Sequence, residues 1–299
     1  MKPNRDVILT TVHRMRFADV AGFLASLRRT GYRGEVVFFA SFLDKASLDL
    51  LRRDGVTVIP FRFYSEHIKQ RLARPWPLWR WFFQSGASPA AKEKLAHAVF
   101  HLFYRRHLLY LQFLRSNAAK YDRVFLTDAR DVFFQADPFS WNPPPGVHLF
   151  LEAETNRIGA CQFHAKWLSS QFGPEAFGQM KAETVSCAGT VFGDIHGILK
   201  YLSAMVDLTM QARSLRETTG DQGIHNYLLY QKRLPEIILH DNRHGPLMTV
   251  GAMKREDIRL NAQGWVIDDD GRVPPVLHQH DRHPDVEKVL LAHLRDPAQ

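Results

Sequence analysis

The sequence predicts a single α/β domain whose Rossmann-like, mostly parallel mixed sheet is covered by helices on both faces. Three observations carry this. The first 61 residues alternate apolar, β-branched runs with segments of helical period. The chain has 299 residues, a length that one large sheet domain can fill. Its 45% hydrophobic and 23% charged residues are the balance of a folded globular chain, which excludes a disordered or collagenous one.

Residues 6–12 read as the first strand. Residues 17–30 repeat apolar side chains at helical spacing (Phe17, Val20, Ala21, Leu24, Leu27) up to Gly31, a natural helix stop. Residues 35–40 form a second strand, Asp44 caps a short helix running through Leu48 and Leu51 to Gly55, and residues 56–61 form a third strand. Strands joined by helices imply a parallel sheet whose ligands bind at the carboxyl ends of the strands. Neither G-x-G-x-x-G nor G-x-x-x-x-G-K-[ST] occurs, so neither a dinucleotide fingerprint nor a P-loop is supported. Residues 62–89 read as an irregular stretch in which Lys69, Arg71, Arg74 and Arg80 interleave with Trp76, Trp79, Trp81, Phe82 and Phe83. Such a mixture suits core packing, an acceptor-binding lid or a membrane-surface patch. Residues 90–117 read as one long helix, and residues 142–146 as a loop inside the domain.

Lys and Arg number 39 against 31 Asp and Glu, a net charge of +8. An anionic partner follows: a nucleotide phosphate, an anionic lipid surface or an acidic glycan. Cys161 and Cys187 are too few for a disulfide framework or a Cys-rich zinc module and are expected as free thiols of a reducing compartment. The polar residues 1–6 run straight into the first strand, and no apolar run approaches the roughly 18 residues that span a bilayer. A cytoplasmic chain, with peripheral membrane contact as its extension, is the expectation.

Val124-Phe-Leu126 is a short apolar strand, and Asp128 and Asp131 bracket the turn at its end. Hard cations such as Mn²⁺ or Mg²⁺ take carboxylate oxygens together with substrate phosphates. Salt bridges and caps use the same acids, so the pair alone leaves both readings open.

The wording around the pair, Thr127-Asp-Ala-Arg-Asp-Val-Phe-Phe-Gln-Ala-Asp-Pro-Phe139, resembles the D-x-D region of nucleotide-sugar-dependent glycosyltransferases of the GT-A fold. Asp131 matches the second, metal-binding acid. Ala129 stands where the strict motif has its first acid, and Asp128 precedes it, giving D-x-x-D; the resemblance assigns Asp128 to the metal or the ribose. Asp137, before Pro138, reads as a turn cap.

Residues 184–193 resemble the Asn-Ser-Gly strand of the same group. Cys187-Ala-Gly189 replaces the polar pair, which sets Ala188 and Gly189 against the donor and leaves the sugar-binding hydrogen bond either missing or supplied by Ser186. Residues 219–226 resemble the D-Q motif, whose acid and amide, Asp221 and Gln222 here, face the transferred sugar as catalytic residues. An Asp at a helix start aligns with the dipole, and an N-cap would look the same. Val276-Leu-His-Gln-His-Asp-Arg-His-Pro284 resembles the segment that brings a C-terminal His to the ion. His278 is the candidate third ligand, with His280 its competitor on the same face of an extended strand. Arg282 is the nearest substitute for a diphosphate-gripping Lys, and Thr10 and Arg130 complete the implied nucleotide set.

The resemblance implies a metal-dependent enzyme, closer to the retaining type, that moves a sugar from a UDP- or GDP-linked donor to a hydroxyl of a glycan, lipid or protein. Mn²⁺ or Mg²⁺ is its cofactor. Residues 1–140 are the implied nucleotide-binding half and 141–299 the sugar- and acceptor-binding half, with no nucleic acid expected. Two other classes compete. One is a metal-dependent hydrolase or phosphoesterase built on Asp128, Asp131, His278, His280 and His283; the other is a non-enzymatic basic binding module using residues 69–83.

Overall fold

Alternation along the first strand sets the layers. In β1 (Asp6–His13), Val7 and Leu9 enter one hydrophobic cluster while Ile8 and Val12 enter another on the opposite face. The computed structural model describes residues 5–63, 68, 71, 72, 74–217 and 219–295; Lys69 of the basic stretch lies outside them.

The predicted βαβαβ start is present as β1, α1 (Ala21–Arg29), β2 (Glu35–Ser41), α2 (Lys45–Arg53) and β3 (Thr57–Pro60). The Asp44 carboxylate accepts from Ser47 N at 2.7 Å and caps α2. Gly31 and Gly55 end the two helices at φ of 77° and 72°, which a glycine adopts without a Cβ penalty. Residues 17–19 form a separate 3-10 turn, so α1 begins later than the apolar period suggested.

The stretch taken as irregular contains α3 (Trp76–Gln84), because Trp76 and Phe83, seven residues apart, form a buried seam against the core. The expected long helix is two, α4 (Pro89–Val99) and α5 (Leu102–Asn117). The chain extends at Phe100 (ψ 133°) and His101 (ψ 163°), and the break lets the Phe100 ring pack on Trp76, Phe83 and Tyr104.

The remaining elements are β4 (Arg123–Thr127), β5 (Val132–Phe134), β6 (Val147–Leu151), α6 (Gln162–Phe172), α7 (Pro174–Met180), β7 (Ser186–Asp194), α8 (Ile195–Gln211), α9 (Asp221–Tyr230), β8 (Ile237–His240), β9 (Leu247–Thr249), β10 (Arg259–Leu260), β11 (Val266–Ile267), β12 (Val276–His278) and α10 (Pro284–Ala292). The main sheet has the order β3-β2-β1-β4-β7-β6-β8. Only β7 opposes its neighbours; β3, β2, β1 and β4 are mutually parallel, as are β6 and β8. Helices α5 and α8 cover one face and α1 the other. The protein is therefore an α/β chain with a mostly parallel mixed sheet, and that sheet takes strands from both sides of residue 140. A second sheet, β5-β12-β9, backs onto α10 through Phe133, Leu277, Val286 and Leu290. Asp137 caps its turn as expected, accepting from Phe139 N at 2.9 Å, and both cysteines are free. Among the described residues no helix is long and apolar enough to cross a membrane.

Candidate metal centre

Two strand pairings bring the acids and the histidine together. Strand β4 delivers Asp128 at its carboxyl end, where Asp128 N donates to Gly189 O at 2.9 Å and extends the β4–β7 ladder. Asp131 immediately precedes β5, and the antiparallel register of β5 with β12 sets Val132 opposite His278. Gln279 N then donates to Asp131 O at 2.7 Å. As a result Asp128, Asp131 and His278 each present a ligand atom, all within 4.8 Å of one another. His278 Nε2 stands 3.8 Å from Asp128 Oδ2 and 3.7 Å from Asp131 Oδ1. Ala129, where the strict motif has its first acid, is buried in the core beneath β1 and β4. The i, i+3 spacing of the turn, not i, i+2, is what points both carboxylates the same way.

The residues fit a divalent cation. His278 is 1% exposed, and its Nε2 has no hydrogen-bond partner among the described residues, an expensive state for a buried nitrogen unless a ligand completes it. Two carboxylate oxygens and one imidazole nitrogen are a donor set for Mn²⁺ or Mg²⁺. The other ring nitrogen, Nδ1, lies 3.4 Å from both Cys187 Sγ and Thr249 Oγ1, partners that favour a proton on Nδ1 and a lone pair on Nε2. Gly189 leaves the room: a Cβ there would overlap Asp128 Oδ2.

The electrostatics are those of a buried anionic pocket in which a proton on His278 and a metal ion would compete. Burial pulls the His278 imidazole down, but the Cys187 sulfur and the Asp128 and Asp131 carboxylates outweigh it, so its pKa stands well above the ordinary 6.5. Burial also works against ionised Asp128, yet the Arg106 guanidinium and His278 bring its pKa to about 2. For Asp131 burial and the Asp128 and Asp281 charges outweigh the pull of His278 and Arg130, so its pKa is raised.

Arg106 is the residue that sequence reasoning missed. It projects from α5, is 8% exposed, and donates to Asp128 Oδ1 at 2.7 Å, Asp221 Oδ2 at 2.7 Å and Ala188 O at 3.2 Å. A signal was available, since a cation amid the apolar run of α5 requires a buried anion. Glu152 was missed as well; it is 7% exposed, is bonded by Asn156 and feels the His278 charge.

The other predicted residues divide. Asp221 is not an N-cap: Gly220 holds that position, and the Asp221 carboxylate goes to Arg106. Burial pushes this carboxyl up against the pull of Arg106. Gln222 ties α9 to β7, with Oε1 accepting from Ala188 N at 2.8 Å and Nε2 donating to Ser186 O. Ser186 cannot stand in for the polar pair, because it is buried and its hydroxyl is held by His225 Nε2 at 2.9 Å and Phe150 O at 3.3 Å. Thr10 is buried in β1 with no partner for its hydroxyl among the described residues. Arg130 and Arg282 are exposed and flank Asp281 at 3.4 and 3.6 Å, beside the cluster and not in it.

The expected alternation of His278 and His280 is corrected. Gln279 adopts a left-handed conformation (φ 58°) and turns the chain into a 3-10 turn. His280 then faces Glu287 at 3.8 Å and packs edge-on against Phe133. His283 Nε2 meets Val250 O at 3.0 Å. The histidine run is thus no cluster, and the ligand set of the hydrolase reading is not assembled.

No protein-family model matches the chain, and no curated protein matches it.

Proposed function

We propose that the protein is a metal-dependent glycosyltransferase that moves a sugar from a nucleotide-diphosphate sugar to an acceptor hydroxyl. The observation that carries the reading is the Asp128, Asp131 and His278 cluster at the carboxyl end of β4, with a buried His278 Nε2 that has no hydrogen-bond partner among the described residues. Asp128, Asp131 and His278 would hold Mn²⁺ or Mg²⁺, whose charge would offset the diphosphate leaving group. In the reaction the bond from the anomeric carbon to the diphosphate oxygen would break, one to the acceptor oxygen would form, and the acceptor's hydroxyl proton would pass to the leaving diphosphate.

The chain's own residues have separate tasks. Arg106 orients Asp128 by binding Oδ1 and so leaves Oδ2 toward the cluster. It also links Asp128 to Asp221, the acid assigned to the sugar. Gly189 keeps the backbone of β7 low beside the donor, while Arg130 and Arg282 supply a cationic rim for the diphosphate. Support for a nucleotide ligand comes from the position of the cluster at strand ends of a mostly parallel sheet, where such ligands bind. The test is release of UDP or GDP from a panel of nucleotide sugars with Mn²⁺ present. Turnover by the native chain that is abolished in Asp131→Asn supports the reading; release that survives EDTA or that substitution opposes it.

A further inference from the structure

The outer side of α3 is an apolar stripe with cations around it and no acid within it. The inner side is anchored: Trp76 and Phe83 are buried, Trp76 Nε1 donates to Ala212 O at 2.8 Å, and Arg80 Nε donates to Gln211 O at 3.0 Å. One turn apart on the other side, Leu78 is 66% and Trp81 72% exposed, the two most exposed large hydrophobic residues among those described. Exposed Arg74, Pro77 and Gln84 continue the same stripe at helical spacing.

The sequence that carries this stripe is one-sided in charge. No Asp or Glu occurs from His67 through Lys92. The first acid beyond, Glu93, is held by Arg115 at 2.7 Å and Gln112 at 2.8 Å. Arg71 and Arg74 are exposed just before the helix start, where the dipole disfavours a cation. An exposed tryptophan and leucine with exposed arginines at the N-terminal end of their helix match the headgroup boundary of an anionic bilayer. A protein partner would have to supply acids for these arginines as well as an apolar cover.

We infer that α3 docks the protein on an anionic phospholipid surface, with Leu78 and Trp81 entering the headgroup boundary and Arg71 and Arg74 meeting lipid phosphates. This does not depend on the proposed enzymatic activity. Through Gln211 and Ala212 the docking face is continuous with the segment that leads into Asp221.

The experiment is sedimentation of the full chain with phosphatidylcholine vesicles, alone and mixed with phosphatidylglycerol. Binding is expected only to the mixed vesicles, with loss at about 0.5 M salt, where charge attraction is screened within about 5 Å. Leu78→Ser with Trp81→Ser should weaken binding about tenfold or more, and Arg74→Gln about fivefold. Both apolar residues are exposed, so the double variant should keep its melting temperature. If it does not, Arg74→Gln and the salt dependence decide on their own. A native chain that ignores anionic vesicles, binds neutral ones equally, or binds unchanged after these substitutions overturns the inference.

Discussion

Replacing Arg106 with Met keeps a long unbranched side chain but removes the side-chain cation that, alone among the described residues, is bonded to Asp221. The guanidinium makes three bonds, to Asp128, Asp221 and Ala188 O, and its two carboxylates answer differently. Asp128 is 36% exposed and regains water. Asp221 is 3% exposed and is left as an uncompensated buried charge. Breaking a buried pair from one side costs about 3–5 kcal/mol. A chain of this length has an unfolding entropy of about 0.6 kcal/mol/K, so the melting temperature should fall by about 5–8 °C. Adding Asp221→Asn removes the stranded charge and should recover about half the loss, about 2 kcal/mol, so the coupling is about 2 kcal/mol plus the cost of Asp221→Asn alone. Thermal and urea melts of the two single variants and the double variant give the cycle. An Arg106→Met protein melting within about 1 °C of the native chain, or no recovery in the double variant, would refute the buried bridge.

Gly189→Ala should lower Mn²⁺ affinity at least about tenfold, measured by electron paramagnetic resonance, because the new Cβ overlaps Asp128 Oδ2; unchanged affinity would place Asp128 outside the site. Cys187→Val should weaken Mn²⁺ binding about tenfold and Cys187→Ser much less, since serine keeps an acceptor for His278 Nδ1; equal effects of the two would assign Cys187 to packing alone. His225 is buried, and burial first, then the Arg106 charge, bring its pKa to about 3. The unfolded chain takes up a proton near pH 6.5 that the native imidazole refuses, so this stability is complete above about pH 6.5 and is lost as pH falls toward 3. The slope is about 1.4 kcal/mol per pH unit, and melts from pH 7 to 5 should show it, with a shallower slope in His225→Gln.

The first 61 residues were legible because each element carries a local mark: alternation in β1, the Asp44 cap, glycines at the helix ends. Farther along, the marks are tertiary. Nothing local breaks the helix at Phe100; the break follows from burying that ring against Trp76 and Tyr104. The run Trp76 to Phe83 looked irregular because Trp and Arg mask a seam that only packing reveals. In the site, Asp128, Asp131 and His278 could be named from motif order, and the structure brings those three together. Arg106 carried one local mark, a cation in an apolar helix, but its partners lie 22 and 115 residues away and only the fold identifies them. Gln279 upset the pairing of His278 with His280 by one left-handed residue, a backbone choice that strand alternation does not anticipate.

Melting temperatures of the native chain and of Asp131→Asn, with and without Mn²⁺ and with UDP or GDP, test most directly whether the cluster is a metal-dependent nucleotide site. A ligand at about a hundred times its Kd contributes about 2.7 kcal/mol, or about 4 °C at this length. The native chain should gain that shift from a nucleoside diphosphate only when Mn²⁺ is present, and Asp131→Asn should not gain it. A shift that persists in EDTA, or is equal in Asp131→Asn, would contradict a metal bridge at Asp128, Asp131 and His278.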